Sequence, residues 1–594
     1  MLNTQSYIIY PFRYLLSFCL LSFCLLLSQF SFAQKKESNI GSEEVNIVKP
    51  YTPTISDASK IQESPVLDDD GNAKKETINY SIFSFPVAST FAPAKGKAEG
   101  VDKEAQEKFY NNYATFGYGN YGNLNAELFV NKELGSNDYV GGMFRHFSSS
   151  GGVNDVPLDS WFYDTSLDAT YGANYDTMSW NVDLGYQNQV YNWFGLPTDF
   201  GSTLSASDRN SLIAGIDTKH AYSGISLGGK MRFNEGAFKE AAMKFSHFSD
   251  SYGSSENRFY VKPSLQFDVA NQFVKTDFIV DYVDGSFDKN YTNTNTEAVK
   301  YGFTNLGISP SFVIQENGWN VKLGASLFYS IDREGSNNQF LIYPNINVSY
   351  PVVDDLMIFY AGAEGALEQN SYMDFVKENP FLSPTLLIAP TDRQYDIFAG
   401  LKGKLASSVS YNLRGSYNNE RNKALFRSND YTENTANENY AFGNSFQVVY
   451  DDVRTFRFSG DLKADFSENV SFAIGGTFSS YKNSFEQEAW NLPAVEVNSS
   501  IDFNITPKWF AGAKAFYVGE RKDLKTNTDL MPVGSPVKLG SYFDVNSHLG
   551  YKHNSQLTGF IKLNNMTGKS YQKWMNYPVQ GFQVLVGANY KFDF

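Results

Sequence analysis

Residues 581–594, GFQVLVGANYKFDF, alternate between apolar and polar side chains and decide the fold of this chain. One set of alternate positions is apolar: Phe582, Val584, Val586, Ala588, Tyr590, Phe592 and Phe594. Polar side chains fall between them: Gln583, Asn589, Lys591 and Asp593. Because successive side chains of a β-strand point to opposite faces, one face suits an apolar medium and the other suits water. A last strand that ends on an aromatic residue is typical of bacterial outer-membrane barrels.

The same strand is expected to close the barrel and to carry the signal that the barrel-insertion machinery reads. The residues predicted to form this signal are Gly587, Tyr590, Phe592 and Phe594. Outer-membrane lipid is a second predicted partner, because the apolar row of the strand would contact hydrocarbon.

Three other stretches show the same alternation, at residues 319–329, 409–417 and 456–466. The polar face of the third stretch carries four charged side chains: Arg457, Asp461, Lys463 and Asp465. A soluble β-sandwich rarely places such charges on one strand face, whereas a water-filled lumen hydrates them. We therefore predict an all-β fold, a transmembrane antiparallel β-barrel over residues 110–594. A soluble β-protein is the alternative.

Clusters of turn residues separate the predicted strands at intervals of roughly 20 residues, which gives about 22 strands within a range of roughly 18–24. Short clusters at 120–123 and 467–469 suit periplasmic turns. Longer clusters at 148–159, 194–208 and 421–444 suit extracellular loops. Wall side chains do not fill the lumen of so wide a barrel. A plug, the N-terminal segment or the loops must fill it.

The N-terminus has the pattern of a secretory signal peptide, predicted to be residues 1–33. Arg13 precedes an apolar stretch at 15–32, and the stretch ends at a small-x-small site, Ser31-Phe32-Ala33. A retained helical anchor is the alternative, because the stretch is long enough to span a bilayer. The signal peptide predicts export to the cell outer membrane of a Gram-negative bacterium.

The next segment, residues 34–109, has little two-residue periodicity. It contains five prolines: Pro50, Pro53, Pro65, Pro86 and Pro93. Each proline lacks the donor that a sheet ladder needs, and the composition of residues 92–108 is that of a linker. We expect this segment to run extended, partly in the lumen and partly in the periplasm, with no core of its own.

Residue types exclude several kinds of function. Cys19 and Cys24 both fall in the predicted signal peptide, so a disulfide, a thiol nucleophile and a cysteine-ligated metal are not expected in the exported chain. A net charge of −15 argues against a nucleic-acid partner. Ser226 lies in a G-x-S-x-G string, but within a predicted strand and not on the strand-to-helix turn that hydrolases require. We expect no enzyme activity and no cofactor.

Three short segments near the C-terminus form a characteristic series. They are YFDVN at 542–546, GFIKLNNMTGK at 559–569 and GANYKF at 587–592. Together they resemble the last three strands of TonB-dependent receptors of the type found in Bacteroidota. The resemblance is strong over these strands and extends to the rest of the barrel only by pattern. It implies an outer-membrane barrel that is involved in transport.

The resemblance also implies a globular plug before the barrel and a TonB box before the plug. Residues 34–109 are too short and too rich in proline for that plug, so we expect it to be missing. Residues 43–48, EEVNIV, resemble a TonB box. The residues predicted to contact TonB, or another periplasmic protein, are Glu44, Val45, Ile47 and Val48.

The sequence leaves three functions open. The first is a receptor-like barrel that transports a nutrient across the outer membrane. The second is a plugless barrel that serves as a structural scaffold or anchor in an outer-membrane protein assembly. The third is a passive porin, which the predicted strand number disfavours because ordinary porins have fewer strands. No residue pattern identifies a substrate.

Overall fold

The computed structural model describes residues 108–269, 272–291, 297–430, 438–527 and 531–594. The barrel wall contains twenty-two strands: β1 (Asn112–Gly119), β2 (Leu124–Glu133), β3 (Asp138–Ser149), β4 (Phe162–Asn174), β5 (Met178–Asn192), β6 (Lys219–Phe233), β7 (Phe238–Asp250), β8 (Ser255–Val269), β9 (Gln272–Phe287), β10 (Val299–Glu316), β11 (Trp319–Asp332), β12 (Gln339–Val353), β13 (Met357–Glu368), β14 (Thr391–Ala406), β15 (Val409–Ser428), β16 (Phe446–Ser467), β17 (Val470–Lys482), β18 (Val495–Asn504), β19 (Trp509–Val518), β22 (Tyr542–Lys552), β23 (Leu557–Asn564) and β26 (Gln583–Phe592).

Smaller elements lie in the connections between wall strands. Two short hairpins pair β20 (Arg521–Asn527) with β21 (Met531–Leu539) and β24 (Gln572–Trp574) with β25 (Tyr577–Pro578). The described helices are α1 (Ala206–Ala214) and α2 (Tyr372–Glu378), and Asn120–Gly122 forms a 3-10 turn. In the part of the chain that the structure describes, no helix is long and apolar enough to cross a membrane.

The wall closes along a seam between β1 and β26, where Asn112 lies opposite Phe592. At the middle of the seam, Asn589 Nδ2 donates a hydrogen bond of 2.7 Å to Thr115 Oγ1. Every neighbouring pair of wall strands is antiparallel, and the sheet has 22 strands. The predicted fold class and the predicted strand number are therefore confirmed.

The N-terminal predictions are not tested by this barrel. The predicted signal peptide, residues 1–33, lies outside the described residues. So does the predicted extended segment at 34–109, apart from its last two residues. The first wall strand begins at Asn112, close to the predicted start of the barrel at residue 110.

The two faces of the wall differ in chemistry, as strand β16 shows. Phe456 and Phe458 lie on one face and are 51% and 50% exposed. Arg457 lies on the other face, directly opposite Ser416 of β15. On that inner face Arg414 donates to Asp396 at 2.8 Å. The predicted assignment of apolar and charged rows to opposite faces is confirmed, and an outer belt of exposed aromatic side chains is what lipid-facing barrels carry.

The two rims of the barrel differ in the length of their connections. On one rim the strands join through a few residues, as at 134–137 between β2 and β3 and at 468–469 between β16 and β17. On the other rim the connections are longer, as at 150–161, 193–218 and 369–390. We call these the short-turn rim and the long-loop rim. The predicted long loops all lie on the second of them.

The prediction for residues 120–123 is wrong. This short connection follows the first strand and lies on the long-loop rim, where Ser150 N donates to Tyr121 O at 2.9 Å. Length alone misplaced it, because strands alternate in direction and the order of a connection in the chain decides its rim. The turn at 467–469 lies on the short-turn rim, opposite the long loops.

Candidate functional site

The connection between β13 and β14, residues 369–390, folds into the barrel at the long-loop rim. We call it the lid. Its buried apolar side chains are Tyr372, Phe375, Val376, Leu382, Leu386 and Ile388. They pack with side chains of two separate groups of strands: Tyr222, Phe248, Val283, Phe287 and Tyr301 from β6 to β10, and Phe426, Phe446 and Val448 from β15 and β16. Because these groups lie far apart around the wall, the lid bridges the lumen.

Other long loops join the lid in the same layer. Phe381 of the lid stacks on Tyr577, from the connection between β23 and β26, with ring centres 3.7 Å apart. Tyr577 Oη in turn donates to Asn444 O, which precedes β16. Phe194, from the connection between β5 and β6, packs against both aromatic rings. The four connections therefore form one apolar layer at the long-loop rim.

The N-terminus of α2 is fixed to the wall by a buried carboxylate. Glu256, near the start of β8, accepts hydrogen bonds from Tyr372 N at 2.6 Å and from Met373 N at 3.3 Å. Tyr301 Oη donates to the same carboxylate at 2.7 Å. The first backbone N–H groups of a helix have no partner within the helix, and a negative charge beside them is stabilising. Glu256 supplies the acceptor that these N–H groups lack within the helix.

The side chain of Tyr372 is fixed at its other end. Tyr372 Oη donates to Asp250 Oδ2 at 2.8 Å, and His220 Nε2 lies 3.2 Å from the same oxygen. The side chains of Asp250 and His220 are both fully buried. Burial, reinforced by the negative charge of Asp250, raises the pKa of the Tyr372 hydroxyl well above its usual value. Tyr372 therefore stays a hydrogen-bond donor at any physiological pH.

A third contact joins the wall to the first turn of α2. Arg258 of β8 makes two hydrogen bonds to Asp281, at 2.9 and 2.7 Å, and a third to Asp374 of the lid at 3.0 Å. Ser371 caps the helix by accepting from Asp374 N at 3.1 Å. Paired, charge-assisted hydrogen bonds of this kind fix geometry well. Three acidic or basic side chains of the wall thus bind the start of the lid: those of Asp250, Glu256 and Arg258.

A cavity of about 720 Å³ lies in the lumen beneath the lid. Its aromatic lining includes Phe162 and Tyr191, whose rings stack with centres 5.8 Å apart, and Phe147, which is 42% exposed. On the polar part of the wall, Asp164 accepts from Gln189 at 2.7 Å. The cavity is large enough for a small-molecule ligand that has both apolar and hydrogen-bonding groups.

Charged side chains of both signs line the same cavity. Arg145 and Asp168 form an ion pair of 3.3 Å on the wall, and both remain about half exposed. Lys377 and Glu378 from the lid and Lys573 from the neighbouring loop also line the cavity, as do Glu127 and Lys244 of the wall. Exposed charges inside a lumen remain hydrated, so they are available to a ligand without the cost of breaking a buried pair.

The structure places Ser226 within β6, paired with Gly185 of β5. The G-x-S-x-G string therefore runs along a continuous strand, Lys219–Phe233, as the sequence predicted. Within the described residues, no group of three His, Cys, Asp or Glu side chains is arranged to hold a metal ion.

The predicted insertion-signal residues lie together at the end of the chain. Tyr590 and Phe592 stack with ring centres 6.0 Å apart, and Phe594 is 77% exposed beyond the end of β26. Gly587 lies on the inner face of the same strand, opposite Gly117 across the seam. Nothing in the barrel tests their recognition by a partner. The predicted TonB contacts lie outside the described residues: Glu44, Val45, Ile47 and Val48.

Sequence reasoning missed the residues that hold the lid: Asp250, Glu256, Arg258 and Tyr372. Polar residues at strand ends look like hydrated rim positions, and their partner is more than 110 residues away in the chain. One signal was available. Ser371 and Asp374 have the spacing of a helix N-cap, which predicts a short helix in the middle of a long loop.

Comparison with solved structures shows that the barrel fold is shared with outer-membrane receptors. No family model matches the chain, and no curated protein is detectably similar in sequence. The siderophore receptor PirA from Acinetobacter baumannii superposes with a TM-score of 0.59 at 11% identity, over 82% of this chain and 81% of the receptor. The ferric-catecholate import receptor Fiu from E. coli K12 gives 0.59 at 10% identity, over 82% of each chain.

A third similar structure is the ferripyoverdine receptor of the outer membrane of Pseudomonas aeruginosa. Its TM-score is 0.58 at 12% identity, over 81% of this chain and 72% of the receptor. By name, these three neighbours are a siderophore receptor, a ferric-catecholate import receptor and a ferripyoverdine receptor. At such low identity the likeness shows a common fold and carries no information about a ligand.

Proposed function

We propose that this chain is an outer-membrane uptake barrel of the TonB-dependent receptor type. The observation that carries the proposal is a ligand-sized cavity inside a 22-stranded barrel, beneath loops that cross the lumen. A porin keeps an aqueous channel through its barrel, whereas wider outer-membrane transporters have an obstructed lumen. The shared fold with receptors and an import protein supports the same function.

The ligand would bind in the cavity through both kinds of lining. The aromatic rings of Phe147, Phe162 and Tyr191 would contact its apolar parts, and Asp164 and Arg145 would bind its polar groups. This chemistry selects a small amphipathic molecule over a simple ion. We propose no enzyme activity and no cofactor for this site.

The cellular setting of the barrel belongs to the same proposal. A cleaved signal peptide at residues 1–33 would export the chain, and the insertion machinery of a bacterium of the Bacteroidota type would place it in the outer membrane. Contact of TonB, or of another periplasmic protein, with Glu44, Val45, Ile47 and Val48 would supply energy for uptake. The N-terminal segment 34–109 would replace the usual globular plug.

Nutrient depletion from a defined medium tests the proposal. A deletion strain would be complemented with the native chain or with a Val45→Pro, Ile47→Pro variant. Mass spectrometry would then follow ferric complexes, short peptides and oligosaccharides in the medium. We expect at least one compound to be consumed only with the native chain, at equal outer-membrane levels of both proteins, because proline prevents an extended segment from pairing with a partner strand.

Either of two other results would favour a different function over uptake. If the deletion changes no compound but removes other proteins from the outer membrane, the barrel is a scaffold. If small solutes of unrelated chemistry enter at equal rates with either chain, it is a passive porin.

A further inference from the structure

We propose that the lid is a gate, and that the hairpin formed by β7 and β8 latches it shut through Tyr372. The inference deepens the proposed function, because the gate would control access to the cavity from the long-loop rim. The inference rests on the proposed function only for the chemical identity of the ligand that would pass the gate.

The latch holds Tyr372 at two points. Asp250 at the end of β7 accepts from its hydroxyl at 2.8 Å, and Glu256 at the start of β8 accepts from its backbone N–H at 2.6 Å. The turn between these carboxylates is fixed as well, since Asp250 Oδ1 accepts from Tyr252 N and Ser254 N, both at 2.8 Å. One rigid hairpin therefore holds both ends of one residue.

All the charged wall contacts of the lid described above come from this hairpin. Arg258, also on β8, binds Asp374 two residues after Tyr372. Farther along the lid, the contacts are of another kind. Ser383 N donates to the backbone oxygen of Phe446 at 2.8 Å, and Phe446 belongs to the adjoining end of β16. The charged contacts are thus concentrated at one end of the lid, as expected of a latch.

Among the residues that the structure describes, several buried polar atoms of the closed layer have no hydrogen-bond partner. They are Trp193 Nε1, His220 Nδ1, Asn379 Nδ2 and Tyr440 Oη. Their side chains surround the latch: the rings of Trp193 and His220 lie 4.3 Å apart, and Asn379 follows α2. Buried polar groups without partners raise the free energy of the state that buries them. Opening would hydrate these atoms. This hydration lowers the free energy of an open state relative to that of the closed state.

Opening the lid would connect the cavity with the long-loop rim. The lid residues Lys377, Glu378 and Phe381 line the cavity. The same residues would move away from the cavity wall when Tyr372 leaves the latch. A ligand that binds Lys377 or Glu378 would then have unequal affinity for the two positions of the lid, which is what shifts a population between them.

Labelling of a single cysteine in the lid tests the gate. Ser383 is fully buried in the closed lid, and Ser383→Cys changes its size little. Cys19 and Cys24 would be removed with the predicted signal peptide, which leaves one cysteine in the exported chain. In that chain in membranes, a small maleimide should label this cysteine slowly. With Glu256→Ala added, two backbone N–H groups and the Tyr301 hydroxyl lose their acceptor, so we expect labelling to be about tenfold faster.

A milder variant and a matched control complete the experiment. Tyr372→Phe removes the hydrogen bond from the Tyr372 hydroxyl to Asp250 and keeps the backbone contact with Glu256. We expect labelling about threefold faster than in the Ser383→Cys parent. Glu240→Ala removes a carboxylate from the inner face of β7 that pairs with Lys230 and Arg232 and not with the lid. It should leave the labelling rate unchanged. Heat-modifiable migration on gels would verify that each barrel is folded.

Three results would overturn the proposal. Rapid labelling of Ser383→Cys in the parent would show that the lid is not closed. Unchanged labelling in folded Glu256→Ala and Tyr372→Phe barrels would show that the hairpin is not the latch. Equal acceleration by Glu240→Ala would show general loosening of the wall. The labelling needs no ligand, so its outcome is separate from that of the nutrient experiment.

Discussion

At the scale of single residues, Gly587 allows the seam to close. A Cβ there would lie 2.3 Å from the carbonyl oxygen of Phe116 and 2.4 Å from the ring of Phe560. We expect Gly587→Ala to destabilise the folded barrel by about 1–3 kcal/mol, because overpacking forces the backbone apart. Thermal unfolding followed by gel migration would measure this. The control is Gly559→Ala on the neighbouring strand, where a Cβ meets nothing within 4 Å. Equal losses in both variants would contradict the explanation.

Phe594 tests the predicted insertion signal. Its ring is 77% exposed, so Phe594→Asp removes little packing. A charge at the membrane boundary costs roughly 0–1 kcal/mol. We nevertheless expect a severe fall in outer-membrane protein, because the machinery would fail to recognise the strand. Phe466→Asp, 69% exposed near the same rim on β16, should insert normally. Normal levels of the Phe594→Asp barrel in membrane fractions would refute the signal.

At the scale of elements, neighbouring residues of β16 test which face meets lipid. Phe458 lies on the outer face and Ser459 on the inner face, opposite Arg414. Phe458→Arg should destabilise the inserted barrel by about 2–4 kcal/mol, the cost of a cation near the bilayer centre. Ser459→Arg on the hydrated face should have little effect. Urea unfolding in lipid vesicles would compare them, and equal stability of the two variants would show that Phe458 does not face lipid.

The strands were predictable because their environment is imposed on every second residue. Lipid on one face and water on the other force an alternation that is visible in residues 456–466 without any tertiary information. The lid has no such rule. Its position depends on Glu256 and Arg258, which meet it only after the wall has curved, and neither differs in type from the hydrated charges lower in the lumen. Sequence reasoning could state only that something must fill so wide a barrel.

At the scale of the whole molecule, residues 108–594 close the wall and hold the lid by contacts among themselves. We therefore expect deletion of residues 34–107 to leave insertion and the slow labelling of Ser383→Cys unchanged, while nutrient uptake is lost. Gel migration and maleimide labelling would follow the first two, and medium depletion the third. A deleted chain that fails to form a barrel would show that the N-terminal segment has a structural role.

The sequence was misleading about the rim of the barrel on which a short connection lies. Residues 120–123 are short, and length was taken to assign them to the periplasm. A short hairpin can occur on either rim, whereas the alternation of strand direction is a property of the complete closed sheet. The rim of a connection follows from its order in the chain, counted in strands from the first one, and not from its length.

The seam between β1 and β26 has a consequence for how each barrel assembles. Asn112 donates to the backbone of Phe592 across a separation of 480 residues, so the ring is completed by partners from opposite ends of the barrel chain. Such non-local pairing costs loop-closure entropy, and the local hairpins that form first do not offset this cost. Until β26 arrives, β1 is a bare edge, able to pair with another chain. The chain must therefore be kept apart from other copies until one terminal event joins its two ends.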